Sequence, residues 1–304
     1  MGKMTRRGFI SAGAATAAVL STARPASVFG AEAQKSVVAV AKGEPADAVR
    51  RVVAALGGIQ QFVKPGDRVV IKPNMSFANP PEWGTTTHPE VVKAVAQLCV
   101  EAGARRIVIF DYTLRDSEIC KEKTGIAAAV KDIPGVVIAT PSDEKFFEEK
   151  PVPGAKELIS TAVAKEVLKA DCLISVPNAK AHSATGVSLG MKGLMGLVWN
   201  RRVFHEKMDI NRAVAEQLYI IKPTLTVVSA IYCLLKNGPG GPGPVEKLDT
   251  VVASADPVAA DAYSVGLARW YNKEFKGTEV KHIQIAAELG LGVADTAKMD
   301  VRMC

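Results

Sequence analysis

Short apolar runs alternate with stretches of helical periodicity from Ser36 onward, and this alternation leaves the chain few topologies to choose from. Residues 36–41 read as a strand and 45–56 as a helix stopped by Gly57-Gly58. The turn Pro65-Gly66-Asp67 introduces a second strand at 68–71. A polar loop over 72–88 ends at Pro89, which opens a helix over 90–102. A strand at 106–110, a helix over about 117–131 and a strand at 136–139 continue the series. Residues 141–157 are charged and proline-broken and read as a surface loop, and 161–170 read as a helix. A buried strand at 172–176 precedes a glycine-punctuated segment at 186–196 and a helix over 209–218. Strands at 225–228 and 249–253 flank a Gly/Pro loop at 237–244, and Asp256-Pro257 opens the next helix. Strand and helix at this spacing predict parallel βαβ units. The fold class is therefore α/β: an open, mostly parallel, doubly wound sheet in a Rossmann-like three-layer arrangement.

The first residues carry a different signal. Thr5-Arg6-Arg7-Gly8-Phe9-Ile10 fits the twin-arginine pattern, and a weakly apolar run over 9–20 follows it. That run is too short to span a bilayer. Arg24-Pro25 ends it, and Ala31-Glu32-Ala33 offers small residues to a signal peptidase. Residues 1–33 are thus read as a signal peptide and 34–304 as a single α/β domain. The expectation is export by the twin-arginine translocase, cleavage near Ala33 and a periplasmic or extracytoplasmic location.

Charge narrows the partners. Four cations and one acid precede residue 34, which brings a formal +7 down to +4 beyond it. No basic stripe with interleaved aromatics is visible, so nucleic acid is not an expected partner. The five cysteines (Cys99, Cys120, Cys172, Cys233, Cys304) include no C-x-x-C pair, and buried free thiols are the expected state of Cys99, Cys172 and Cys233.

Open parallel sheets bind ligands beyond the carboxyl ends of their strands. There the sequence places Lys72 and Asn74, Asp111, and Asn178, Lys180 and His182. Thr87 and His88 stand where a helix begins, and Lys192, Arg201 and Arg202 add positive charge. The expected ligand is a small anion, carboxylate or phosphate. Lys72, Lys180 and Lys192 would neutralise it, Asn74 and Asn178 would orient it, and His88 or His182 would move protons. His205 and Asp209, with His88, His182 and Asp111, leave a mixed metal site open. Each residue also has a plainer use: Thr87 or His88 as a helix cap, Asp256 as an N-cap. The segment 186–193 reads G-x-x-x-G-x-K-G and fails the Walker pattern, so ATP is not supported.

Several motifs carry a family resemblance. They are Val-Val-Ile-Lys-Pro-Asn at 69–74, Thr-His-Pro at 87–89, Ala-Gly-Ala at 102–104 and Ser-Val-Pro-Asn-Ala-Lys-Ala-His at 175–182. Gly-Met-Lys-Gly at 190–193, Asn-Gly-Pro at 237–239 and Asp-Pro-Val-Ala-Ala-Asp at 256–261 complete the set. Together they resemble the domain of unknown function 362 family in order and spacing. The resemblance implies a fold, a pocket and a redox neighbourhood, since such proteins often stand beside ferredoxin-type iron–sulfur modules. Two positions depart from the family pattern: Ser229 replaces a frequent acid, and Leu234-Leu235 a frequent Met-Glu pair. This chain has no ferredoxin cysteine cluster, so its cofactor stays open. Two functions are expected from this. One is an exported protein that binds an anionic molecule or cofactor, with a redox-linked enzyme of unknown reaction as its catalytic form. The other is a non-catalytic accessory protein docking an iron–sulfur partner.

Overall fold

The computed structural model describes residues 35–304. The twin-arginine pattern and the cleavage site near Ala33 lie outside the described residues. Among the described residues twelve strands are formed: β1 (Ser36–Lys42), β2 (Arg68–Pro73), β3 (Arg106–Phe110), β4 (Val136–Ala139), β5 (Phe147–Pro151), β6 (Ser160–Ala164), β7 (Cys172–Val176), β8 (Asn178–His182), β9 (Gly186–Ser188), β10 (Leu225–Leu234), β11 (Val245–Ser254) and β12 (Met299–Met303).

The main sheet runs β12-β1-β11-β10-β7-β2-β3-β4, with β8 joined to β10 and β9 off that path. Strands β10, β7, β2, β3 and β4 run parallel to one another, whereas β11 runs against both β1 and β10. The sheet is therefore mixed but mostly parallel. Alternation along each strand divides the core. Val69 and Ile71 of β2 point into one apolar cluster and Val70 into the other. The helices Pro45–Ala55 and Pro89–Glu101 cover the first face. The helices Ile210–Glu216, Pro257–Val265 and Lys281–Glu288 cover the second. Each fully buried Val, Leu or Ile contributes roughly 1.5–3 kcal/mol, so both faces hold the layers together. Among the described residues no helix is long and apolar enough to cross a membrane.

Four sequence expectations are corrected. Residues 141–157 are not simply loop: β5 lies within them and pairs antiparallel with β6, Phe147 opposite Ala164. The helix expected over 161–170 is confined to Lys165–Leu168, and residues 161–164 belong to β6. There tertiary pairing overrides local helical spacing, burying Ala162, Val163 and Ala164. The single helix over 117–131 is two, Ser117–Lys123 and Ile126–Val130, broken at Gly125 with φ 71°. The polar stretch after Val176 is a strand, β8, and not a loose strand end.

The path of β8 creates an opening. Strand β7 pairs with β2 up to Pro73 opposite Val176. After Pro177 the chain leaves β2 but stays parallel to β10, with Asn178 opposite Ser229 and Lys180 opposite Leu234. Its other neighbour is now β9, with Lys180 opposite Ser188. The sheet thus splits where β2 ends.

Candidate functional site

A cavity of about 280 Å³ occupies this split. The end of β2 supplies Lys72 and Asn74, and β8 supplies Lys180 and His182. The helix Gly190–Gly193 supplies Lys192, and the helix Arg201–Glu206 supplies Arg201, Arg202 and His205. Phe77, Leu114 and Pro239 form apolar parts of the wall.

The cations are held in different ways. Lys72 is buried, with Nζ 3.1 Å from Asp111 Oδ1. It also donates to the carbonyl of Pro73. Asp111 Oδ2 accepts from the Met75 N–H at 2.9 Å and from Ser76 Oγ at 3.1 Å. A Cβ on Gly196 would collide with both Asp111 and Lys72, so only glycine lets the backbone pass over this pair. Burial pulls the Lys72 ammonium below its ordinary range, and Asp111 opposes that pull.

Lys180 Nζ donates to the Thr85 carbonyl at 2.6 Å and to Asn74 Oδ1 at 3.2 Å. It also lies 4.5 Å from the centroid of the Phe77 ring. No carboxylate pairs with it among the described residues, and burial drives its pKa well down. Arg201 donates to the carbonyls of Tyr112 and Thr113 and stacks over the Tyr112 ring at 4.1 Å. Lys192 is buried, and its pKa falls to about 7 through burial first and Arg201 second.

His182 stacks on His205, ring centroids 6.0 Å apart. Its Nδ1 accepts the Ala184 N–H at 3.1 Å. The neutral ring therefore carries its proton on Nε2 and offers a donor there. Burial, then Lys192 and Lys180, keep the ring neutral.

The structure thus brings Lys72, Asn74, Lys180, Lys192 and His182 to one cavity. The other sequence candidates stand elsewhere. His88 caps the helix Pro89–Glu101, its Nδ1 accepting from the Glu90 N–H at 3.3 Å, and stacks on Tyr232. Thr87 Oγ1 donates to the Val176 carbonyl at 2.6 Å and accepts from the Asn74 N–H at 2.8 Å, tying the long loop to the sheet. Asn178 Nδ2 donates to the Gly84 carbonyl at 2.8 Å and the Tyr232 carbonyl at 3.0 Å. Asp111 lies beneath the cavity, bound to Lys72, and is not on its wall. All four build the site without lining it.

The same geometry separates the mixed metal set. Asp209 caps the helix Ile210–Glu216, Asp111 serves Lys72, and His88 lies off the cavity. Among the described residues no group of three or more His, Cys, Asp or Glu side chains is placed to hold a metal ion. Cys99, Cys120, Cys172 and Cys233 are buried free thiols and Cys304 is exposed.

Support for Lys192 comes from far along the chain. Asp261 accepts the backbone N–H groups of Gly190 and Met191, both at 2.8 Å, and so fixes the turn that carries the lysine. Gln217 Nε2 donates to the Met191 carbonyl at 2.7 Å. Phe77 and Tyr112, the rings under Lys180 and Arg201, escape sequence reasoning, because nothing in a single sequence marks an aromatic as a platform for a distant cation.

Residues 69–266 match the family described as Domain of unknown function (DUF362). Over 222 residues the chain is 30% identical to the thylakoid-associated protein sll1697 of Synechocystis sp., a match covering 70% of this chain and 66% of that one. The lactate racemase apoprotein from Thermoanaerobacterium thermosaccharolyticum is similar in structure over 73% of this chain and 54% of that one, at 14% identity and a TM-score of 0.47. This chain therefore spans just under two thirds of the first relative and about half of the second.

Proposed function

Because the chain belongs to the DUF362 family, whose description names no activity, we propose its function from the cavity: it binds a small anionic molecule, carboxylate or phosphate, at the carboxyl edge of its sheet. One observation carries this reading. Lys72, Lys180, Lys192, Arg201 and Arg202 line the cavity, and no acidic residue does. Burying unpaired cations is costly, and an anionic ligand removes that cost. Lys180 and Arg201 are already oriented by carbonyls and rings, and His182 adds an Nε2 donor. At about 280 Å³ the cavity lies at the lower edge of ordinary ligand pockets, which favours a ligand of few heavy atoms.

Thermal unfolding in phosphate and in oxalate tests the reading. Ligand binding should raise the melting temperature with concentration. Lys180→Ala should weaken that response by roughly thirtyfold in ligand concentration, because a desolvated ion contact is worth about 2 kcal/mol or more. An equal response in wild type and variant would remove the cavity from consideration.

The reading includes a location. We infer that residues 1–33 direct the folded domain out of the cytoplasm. Replacing Arg6 and Arg7 by Lys should retain the precursor inside, since the pathway reads guanidinium and not charge alone. Undiminished periplasmic accumulation would exclude this route.

A further inference from the structure

Three lysines line the cavity, and they are not equivalent. Lys72 has Asp111 and the Pro73 carbonyl; Lys180 has Thr85, Asn74 and the Phe77 ring. Both have their side-chain nitrogen tied to acceptors of the protein itself. Lys192 is buried on the same wall and has no hydrogen bond, ion pair or ring contact among the described residues. Its backbone, by contrast, is fixed by Asp261 and Gln217. An amine on a rigid turn, free of partners among the described residues and facing a cavity, is built to meet a ligand.

Resting on the anion-binding reading, we propose that Lys192 is a nucleophile that condenses with the carbonyl carbon of a small 2-oxo acid, whose carboxylate the other cations hold. The nitrogen lone pair attacks the carbonyl carbon, and the C=O π pair moves to oxygen. That oxygen takes one proton from the attacking nitrogen and a second from solvent, then leaves as water. The remaining nitrogen lone pair closes a protonated imine, so one proton is consumed, one water is released and nothing is oxidised.

The surroundings favour the free amine this step needs. The charged group acting on Lys192 is Arg201, and the groups that Lys192 acts on in turn, Lys180, His182, His205 and His282, are all basic. His282 is fully buried, with no hydrogen-bond partner for either ring nitrogen among the described residues, and it too is held neutral. Burial and Arg201 bring Lys192 to about 7, so much of it is unprotonated in neutral solution. The carboxylate half of an oxo acid finds Lys180, Arg201 and the His182 Nε2 donor around the same space. The cavity volume suits a molecule of that size.

Trapping tests the step directly. The full chain is incubated with pyruvate and cyanoborohydride, and the modified residue is located by peptide mass spectrometry. The expected result is one reduced adduct per chain, on Lys192, forming faster than on surface lysines by roughly three orders of magnitude at neutral pH, from the difference in free-amine fraction. Its rate should level off above about pH 8, where surface lysines are still gaining free amine. Lys192→Arg keeps the charge and should lose the adduct; Lys192→Met is a second variant should the first fail to fold. Oxalate, which has no ketone, separates the two ideas. A melting-temperature response to oxalate with no adduct on Lys192 overturns the nucleophile and leaves anion binding intact. Absence of both overturns both. An adduct on Lys180, or spread evenly over exposed lysines, likewise overturns the assignment.

Discussion

Around the start of the helix Pro257–Val265 both aspartates are saturated, whereas around the cavity most cations lack an acid. Asp256 accepts from the N–H groups of Val258, Ala259 and Val293 and from Ser36 Oγ, and buried Asp261 from those of Gly190 and Met191. In the cavity Lys72 pairs with Asp111 and the exposed Arg202 with Glu206, whereas Lys180, Lys192 and Arg201 have no carboxylate partner among the described residues. Both regions are polar, largely buried and rich in family motifs. What differs is whether the protein itself completes the charge. A completed charge supports architecture, and an incomplete one marks the place where something from outside is expected.

The largest expected effect breaks the buried ion pair at the cavity. Asp111→Ala leaves Lys72 buried without a counter-charge and should cost about 3–5 kcal/mol in urea unfolding. A loss below about 1 kcal/mol, the range of exposed pairs, would erase the distinction drawn here.

Gly190→Ala comes next. A Cβ there would stand 2.8 Å from Asp261 Oδ1 and 3.1 Å from Thr226 Cγ2. Overpacking of this kind should cost about 1–3 kcal/mol, measured the same way. A neutral result would mean that the turn bearing Lys192 is not held as tightly as its hydrogen bonds imply.

A third test uses pH. The folded-state pKa of Lys192 lies near 7, below its unfolded value of about 10.4. Between these values the unfolded chain holds a proton that the folded chain lacks, so wild-type stability should gain from this group as pH rises. Below pH 7 the cost of the buried charge is fully present. Lys192→Met should flatten the gain by about 1 kcal/mol per pH unit across this window. Identical profiles for wild type and variant would show that Lys192 is solvated as an ordinary lysine.

The smallest effect concerns His88. His88→Ala removes a helix cap and should cost about 0.5–1 kcal/mol while leaving the oxalate response unchanged. A lost oxalate response would return His88 to the site.

Strands β1, β2, β3, β4 and β7 were legible because apolar runs sit between clear turn signals. β5 was hidden by Glu148, Glu149 and Lys150, which give a strand the composition of a surface loop. β8 was hidden by its polarity, although the alternation Asn178-Ala179-Lys180-Ala181-His182 is the period-two signal of a strand with its alanines facing the core. β12, Met299–Met303, carries the same alternation and lies at the sheet edge. For the site, residue type at strand ends was enough to bring Lys72, Asn74, Lys180, Lys192 and His182 onto one list. It could not separate them from Thr87, His88, Asn178 and Asp111. That division depends on which hydrogen bonds the backbone claims first, and those partners lie up to 94 residues away, as Gly84 does from Asn178.

The parting of β8 from β2 at Pro177 lets this protein change its diet without rebuilding its house. The width of the opening is set by main-chain pairing with β10, while the character of its walls is set by Lys180, His182, Lys192 and the arginines, whose tips touch the ligand space rather than hold the layers. Selection for a new ligand and selection for persistence can therefore act on separate residues. They collide at Lys72, where Asp111 and Gly196 bind one wall of the opening to the integrity of the whole. Across relatives of this chain, Lys72, Asp111 and Gly196 should change together or not at all.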